Sequence, residues 1–161
     1  MEEETDMSLW YAELAKYYEL SNASFTESLA ILSNNIDVVK QDVSAPKALV
    51  ALYNLNGEYD EAIQFLNTHH FRTWEGGQEI YCHYVDTHTL KAIELINDKE
   101  YESSITHLDS ALLYPENLEV GKASDGERNA LIYYYLGEAY TKMGKSKKAR
   151  ESYQKSVASE N

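Results

Sequence analysis

Apolar residues recur along this chain at helical spacing. In SLWYAELAKYYEL, Leu9, Trp10, Leu14, Tyr17 and Tyr18 form one stripe. Ser24 is followed three residues later by Glu27, the form of a capping box, so the pattern predicts a helix over FTESLAILSNN and a short one in IDVVKQD. Three longer stretches follow. In YYYLGEAYTKMGKSKKARESYQKSV, Gly137 and Ala149 are small where two antiparallel helices would cross closely, and Tyr133, Leu136, Tyr140 and Tyr153 fill the space beside them. Gly144 falls at the turn between them, where a left-handed residue is wanted. Val50, Tyr53, Ala62 and Leu66 take corresponding places in ALVALYNLNGEYDEAIQFL. In HTLKAIELINDKEYESSITHLDSALLYP the places fall to Ala92, Leu95, Ser104 and Leu108, with Ala111 and Pro115 closing the unit. The two small-residue places are twelve residues apart in all three copies: 50 to 62, 92 to 104 and 137 to 149.

An aromatic, two residues, Leu-Gly, two residues, Tyr, then Ala with an aromatic four later: this pattern resembles the tetratricopeptide repeat. The resemblance implies an all-α, right-handed α-solenoid of helix-turn-helix pairs. On that reading residues 8–158 form one repeat domain, with a degenerate pair over 8–43 and repeats over about 45–70, 78–115 and 127–158. A disordered acidic start (1–7) and a tail (159–161) flank it. The period is longer than the family's usual unit of about 34 residues. Val50 to Ala92 is 42 residues and Ala92 to Gly137 is 45. Since the spacing inside each pair is constant, the extra residues belong to two lengthened connections, FRTWEGGQE and YPENLEVGKASDGE, which a solenoid would place along one edge.

The WEGG and YPENL segments, with LYNLNGEYDEAIQFL and YYYLGEAY around them, also resemble the repeat region of large bacterial proteins that carry a β-rich, galactose-mutarotase-like domain. That domain is absent here. The resemblance implies a protein- or domain-interaction scaffold of a larger bacterial protein. Its alternative is an accessory helical module of a carbohydrate-active protein, contributing loop residues to the site of the missing domain.

Charge narrows the partners. The formal net charge is −13, divided as −17 over residues 1–140 and +4 over residues 141–161. So acidic a body repels nucleic-acid phosphates. The basic end is either a solvated helix face or a surface that meets the acidic body of a neighbour, giving weak self-association. One cysteine, Cys82, excludes an internal disulfide and fits a reducing, cytoplasmic setting. MEEETDMSLW is acidic where a secretion signal needs a basic start, and no segment approaches the ~20 apolar residues of a membrane span.

Chemistry is hard to place on this chain, and we expect no enzyme. Gly76-Gly77 lacks the strand, helix and lysine of a phosphate loop, and Cys82 beside His83 reads as part of the helical stack. Neither a metal nor another cofactor is expected: His83 and His88 are five residues apart, not four, and His69, His70 and His107 complete no motif. Two surfaces remain. The first helices of the pairs offer a groove with Lys47, Ala51, Asn54, Asp86, Thr89, Ile93, Tyr134, Glu138 and Thr141. Lys47 and Asn54 sit beside Asp86 and Glu138, which argues against a clamp for a terminal carboxylate. The second surface is a ridge built by the two connections: Arg72, Trp74 and Glu75 from one, Tyr114, Glu116 and Asn117 from the other. Trp and Arg are enriched in binding hot spots, so the ridge reads as a docking element. A self-packed loop, with Trp74 tucked into the stack and Gln78 or Glu79 opening the next helix, is the other reading. On the ridge reading, Trp74 or Arg72 is expected to contact the segment Tyr114–Leu118 or the helix leading into it.

Overall fold

The computed structural model describes residues 24–71, 79–113, 115–119 and 126–159. Among them all regular structure is helical: α1 (Phe25–Ser33), α2 (Ile36–Val39), α3 (Ala45–Leu55), α4 (Tyr59–Thr68), α5 (Glu79–Asn97), α6 (Tyr101–Leu112), a 3-10 turn (Glu116–Leu118), α7 (Gly126–Lys142) and α8 (Ser146–Ser159). The expectations for residues 1–23, for 72–78 with Arg72, Trp74 and Glu75, and for Tyr114 lie outside the described residues. The handedness proposed for the repeat array stays an expectation.

The helix starts follow from local hydrogen bonding. Ser24 caps α1 by accepting from the Glu27 amide, as the Ser-x-x-Glu spacing predicts. At α3 the cap comes from an unexpected residue. Asp42 Oδ1 accepts from the amides of Ser44 (2.7 Å) and Ala45 (2.8 Å) and from the Ser44 hydroxyl, while Pro46 fits the first turn, where no amide is needed.

The turns α3–α4, α5–α6 and α7–α8 are built alike. In each, a residue seven positions after the small one is left-handed: Gly57 (φ 75), Lys99 (φ 67) and Gly144 (φ 71). The next amide reaches back five residues: Glu58 to Tyr53 O at 2.9 Å, Glu100 to Leu95 O at 2.8 Å, Lys145 to Tyr140 O at 2.9 Å. That is the six-to-one bond of a Schellman motif. The carbonyl of that same residue then starts the second helix, accepting from Ala62, Ser104 and Ala149. These second-helix residues are the small ones named from the sequence. Ala62, Ser104 and Ala149 are all buried. A shared hydrogen-bond frame accounts for the constant twelve-residue spacing.

The described residues fall into two compact units: those up to His83 with Glu116–Glu119, and those from Tyr84 to Pro115 with those from Gly126 onward. The first has a core of Leu29, Leu32, Val39, Leu49, Val50, Leu66 and Ile80, with Leu118 of the 3-10 turn fully buried among them. The second is centred on Val85, Ala92, Leu108, Ala130, Ile132, Leu136, Ala139 and Ala149. Helix α5 contributes Glu79–His83 to the first unit and the rest of its length to the second.

Candidate functional site

In the first unit both ends of the 72–78 segment are pinned. Phe71 is buried and sits edge-on to Phe65 (5.9 Å between centroids) and to His69 (4.7 Å), which itself stacks on Phe65 at 4.8 Å. At the other end Glu79 accepts from Lys47 Nζ at 2.9 Å, and this hydrogen bond holds the Glu79 carboxyl below its usual range. The second connection comes to the same place. Asn117 donates to Leu66 O at 3.0 Å, and His70 Nε2 lies 3.7 Å from Glu119 Oε2. Glu116, in the same 3-10 turn, is exposed. The described parts of the two connections therefore meet at the C-terminal end of α4.

The groove candidates have varied surroundings. Lys47 is engaged by Glu79 as above, and Asn54 is half-buried on α3. Asp86 takes a two-pronged hydrogen bond from Arg128, Nε to Oδ1 at 2.7 Å and Nη2 to Oδ2 at 3.1 Å, joining α5 to α7. Thr89 is buried and its hydroxyl donates to Val85 O. Glu138 accepts from the Tyr153 hydroxyl at 2.6 Å. Tyr134 stays open to solvent, 45% exposed, edge-on to Tyr135 at 5.4 Å. The groove positions thus offer an aromatic face more than free charge.

A concavity runs along α7 and α8 beside the groove positions Glu138 and Thr141. It is an open depression of about 640 Å³, lined by Thr141 of α7 and by Ser146, Ala149, Arg150, Tyr153, Gln154 and Val157 of α8. Its shape originates at Gly137. A Cβ there would come 2.5 Å from Tyr153 Cε1, so the missing side chain lets the tyrosine ring lie flat on α7. The ring is then fixed by Glu138 and by Thr141 Oγ1 at 3.3 Å, and burial with the Glu138 bond pushes the Tyr153 pKa up. Val157, one turn further, is 64% exposed. The α8 residues fall at intervals of three and four, the signature of one helix face, and two of them, Ala149 and Tyr153, are legible in the sequence as the positions packed beside Gly137.

Sequence reading missed two further features of α5. Cys82, in the first unit and expected in the stack, is only half-buried. His88 and His107, unlinked by any motif, face each other across α5 and α6 with Nδ1 atoms 3.0 Å apart, the Tyr84 ring 4.6 Å from His88. Burial, then the neighbouring His107, lowers the His88 pKa to about 4. Among the described residues, no cluster of three or more His, Cys, Asp or Glu side chains is arranged to hold a metal, and no helix is long and apolar enough to cross a membrane.

With this geometry in view, residues 130–160 match the family model described as Tetratricopeptide repeat. The α7–α8 pair is a unit of that kind, and such repeats generally mediate protein–protein interaction.

Proposed function

We propose that this chain is a protein-interaction scaffold without catalysis of its own, working in the cytoplasm within a larger bacterial protein. The observation that carries the reading is the α7–α8 unit. It matches a repeat family devoted to protein contacts, leaves the Tyr134 ring open, and holds Tyr153 rigidly at the edge of a ready-made depression. Rigid aromatic rings bury large area at small entropic cost, which is why they dominate binding hot spots.

The ridge is a second contact element of the same scaffold, for an adjacent domain. Its support is that both connections are tied down where they meet, through Phe71, Lys47–Glu79 and Asn117–Leu66. Arg72, Trp74, Glu75 and Tyr114 belong to the segments so anchored. The test is affinity capture from native lysate with the full chain, Tyr134→Ala, and a chain whose WEGG segment is replaced by a Gly/Ser sequence. A partner retained by the full chain and lost with either change supports the reading. Equal capture by all three overturns it.

A further inference from the structure

We propose that the depression on the α7–α8 face docks the acidic stretch 1–23 of a second copy of this chain. Three observations lead there. The floor is apolar and preset: Ala149 is buried, the Tyr153 ring is fixed against Gly137, and Val157 is left open at one end. Clefts of about 300–1,000 Å³ accept a few large side chains, and this one falls within that span. Its setting is basic. Residues 141–159 carry six lysines and arginines against Glu151 alone, and Arg150 itself lines the depression. Two of the others are turned elsewhere: Lys148 and Lys155 lie over the rings of Tyr140 and Tyr133, at 5.2 and 5.4 Å. An apolar floor lined by Arg150, on a helix that is basic over its length, selects an amphipathic segment flanked by carboxylates.

This chain contains such a segment. Residues 1–23, outside the described residues, hold six acids and one lysine. Trp10, Leu14 and Tyr17 are spaced at zero, four and seven, the anchors of a helix laid in a groove. A net charge of −5 on the stretch meets +5 on residues 141–159. Because donor and acceptor surfaces differ, the contact is head-to-tail, and copies would add in series rather than close as a twofold dimer. The overall charge of −13 repels copies at long range, but screening confines this to about 8 Å at physiological salt, so the contact is weak and strongest at intermediate ionic strength.

The inference rests on reading residues 130–160 as an interaction unit, and its test separates the two. Light scattering of the full chain at roughly 0.15 M and 1 M salt is combined with titration of a labelled peptide of residues 1–23. The expected result is a concentration-dependent mass above the monomer at the lower salt, reduced by the free peptide. Arg150→Glu and Val157→Asp should each weaken peptide binding at least tenfold, with helix content unchanged. Should Val157→Asp unfold, the exposed Arg150→Glu carries the test alone. A monomer at every concentration with no peptide binding overturns the proposal, and so does association untouched by both variants. Peptide binding that appears only once residues 1–23 are deleted places the stretch in its own chain, and overturns the second copy. Capture of another partner through Tyr134 would survive any of these failures.

Discussion

At the scale of single residues the informative position is Lys99. Gly57 and Gly144 occupy the same left-handed place in the other two turns, where a side chain strains the backbone; Lys99 holds it at φ 67 because the amide and carbonyl of Glu100 bind on either side. Lys99→Gly should therefore raise stability by about 0.5–1 kcal/mol, read as a shift in the urea midpoint. Gly144→Ala should lower it by a comparable amount. If Lys99→Gly destabilises, the side chain contributes a contact larger than the strain. Ser104 makes a second case. Its hydroxyl is fully buried and has no hydrogen-bond partner among the described residues, at a place where the other two copies use alanine. Ser104→Ala removes a buried polar atom and improves helix propensity, so a gain of about 0.5–1 kcal/mol is expected.

At the scale of helices, close approach and burial decide. Gly137→Ala places a carbon against the Tyr153 ring, which is held at its far end by Glu138; the pair must separate or the hydrogen bond must break. A loss of about 1–3 kcal/mol is expected, with near-ultraviolet circular dichroism reporting the displaced tyrosine. The α5–α6 pair adds a pH dependence. His88 has its pKa lowered to about 4, against about 6.5 when unfolded. The stability tied to its neutral form is thus complete above pH 6.5 and is lost as pH falls towards 4, because the unfolded chain takes the proton first. Up to about 3 kcal/mol is at stake. His88→Phe should flatten the fall in urea midpoint between pH 7 and 5, whereas an identical fall in both proteins would remove His88 as its source. These cases show what was readable from sequence. The Leu136-Gly137 and Ala149 spacing is local and periodic, so it announced the last pair. The turn at Lys99 was hidden because lysine bears no mark of left-handed backbone. The His88–His107 contact joins residues nineteen apart that share no pattern, and only the packing of α5 on α6 brings them together. Asp42 escaped notice because it caps from two residues before the expected position. The α8 depression was obscured because the pattern assigns Ala149 and Tyr153 to packing on α7 and leaves Arg150 and Val157 among lysines that read as a solvated face.

For the whole molecule the governing quantity is charge. Even if all fourteen lysines and arginines were paired, thirteen of the twenty-seven acids would remain to repel one another. Folding brings those acids closer together, so self-repulsion weakens the native state and salt relieves it. Ion pairs act in the opposite sense, since screening weakens them too. Their geometry sets the balance. Lys47–Glu79, Asp86–Arg128 and Lys91–Glu94 each keep at least one side chain 40% exposed or more, and Lys147–Glu151 is open and long at 4.0 Å. Pairs of this sort contribute about 0–1 kcal/mol each. Asp86–Arg128 ranks highest, because its two parallel bonds are directional and tie α5 to α7. Repulsion should win: raising sodium chloride from about 0.01 to 0.3 M, a range in which the screening length falls from about 30 Å to under 8 Å, should raise the Tm by a few degrees at pH 7. Arg128→Met would remove the best pair and leave the acids, so its Tm should start lower and climb more steeply with salt. A wild-type Tm that falls with salt would mean that the ion pairs outweigh the acidic surplus, with Asp86–Arg128 the first to examine by double-mutant cycle.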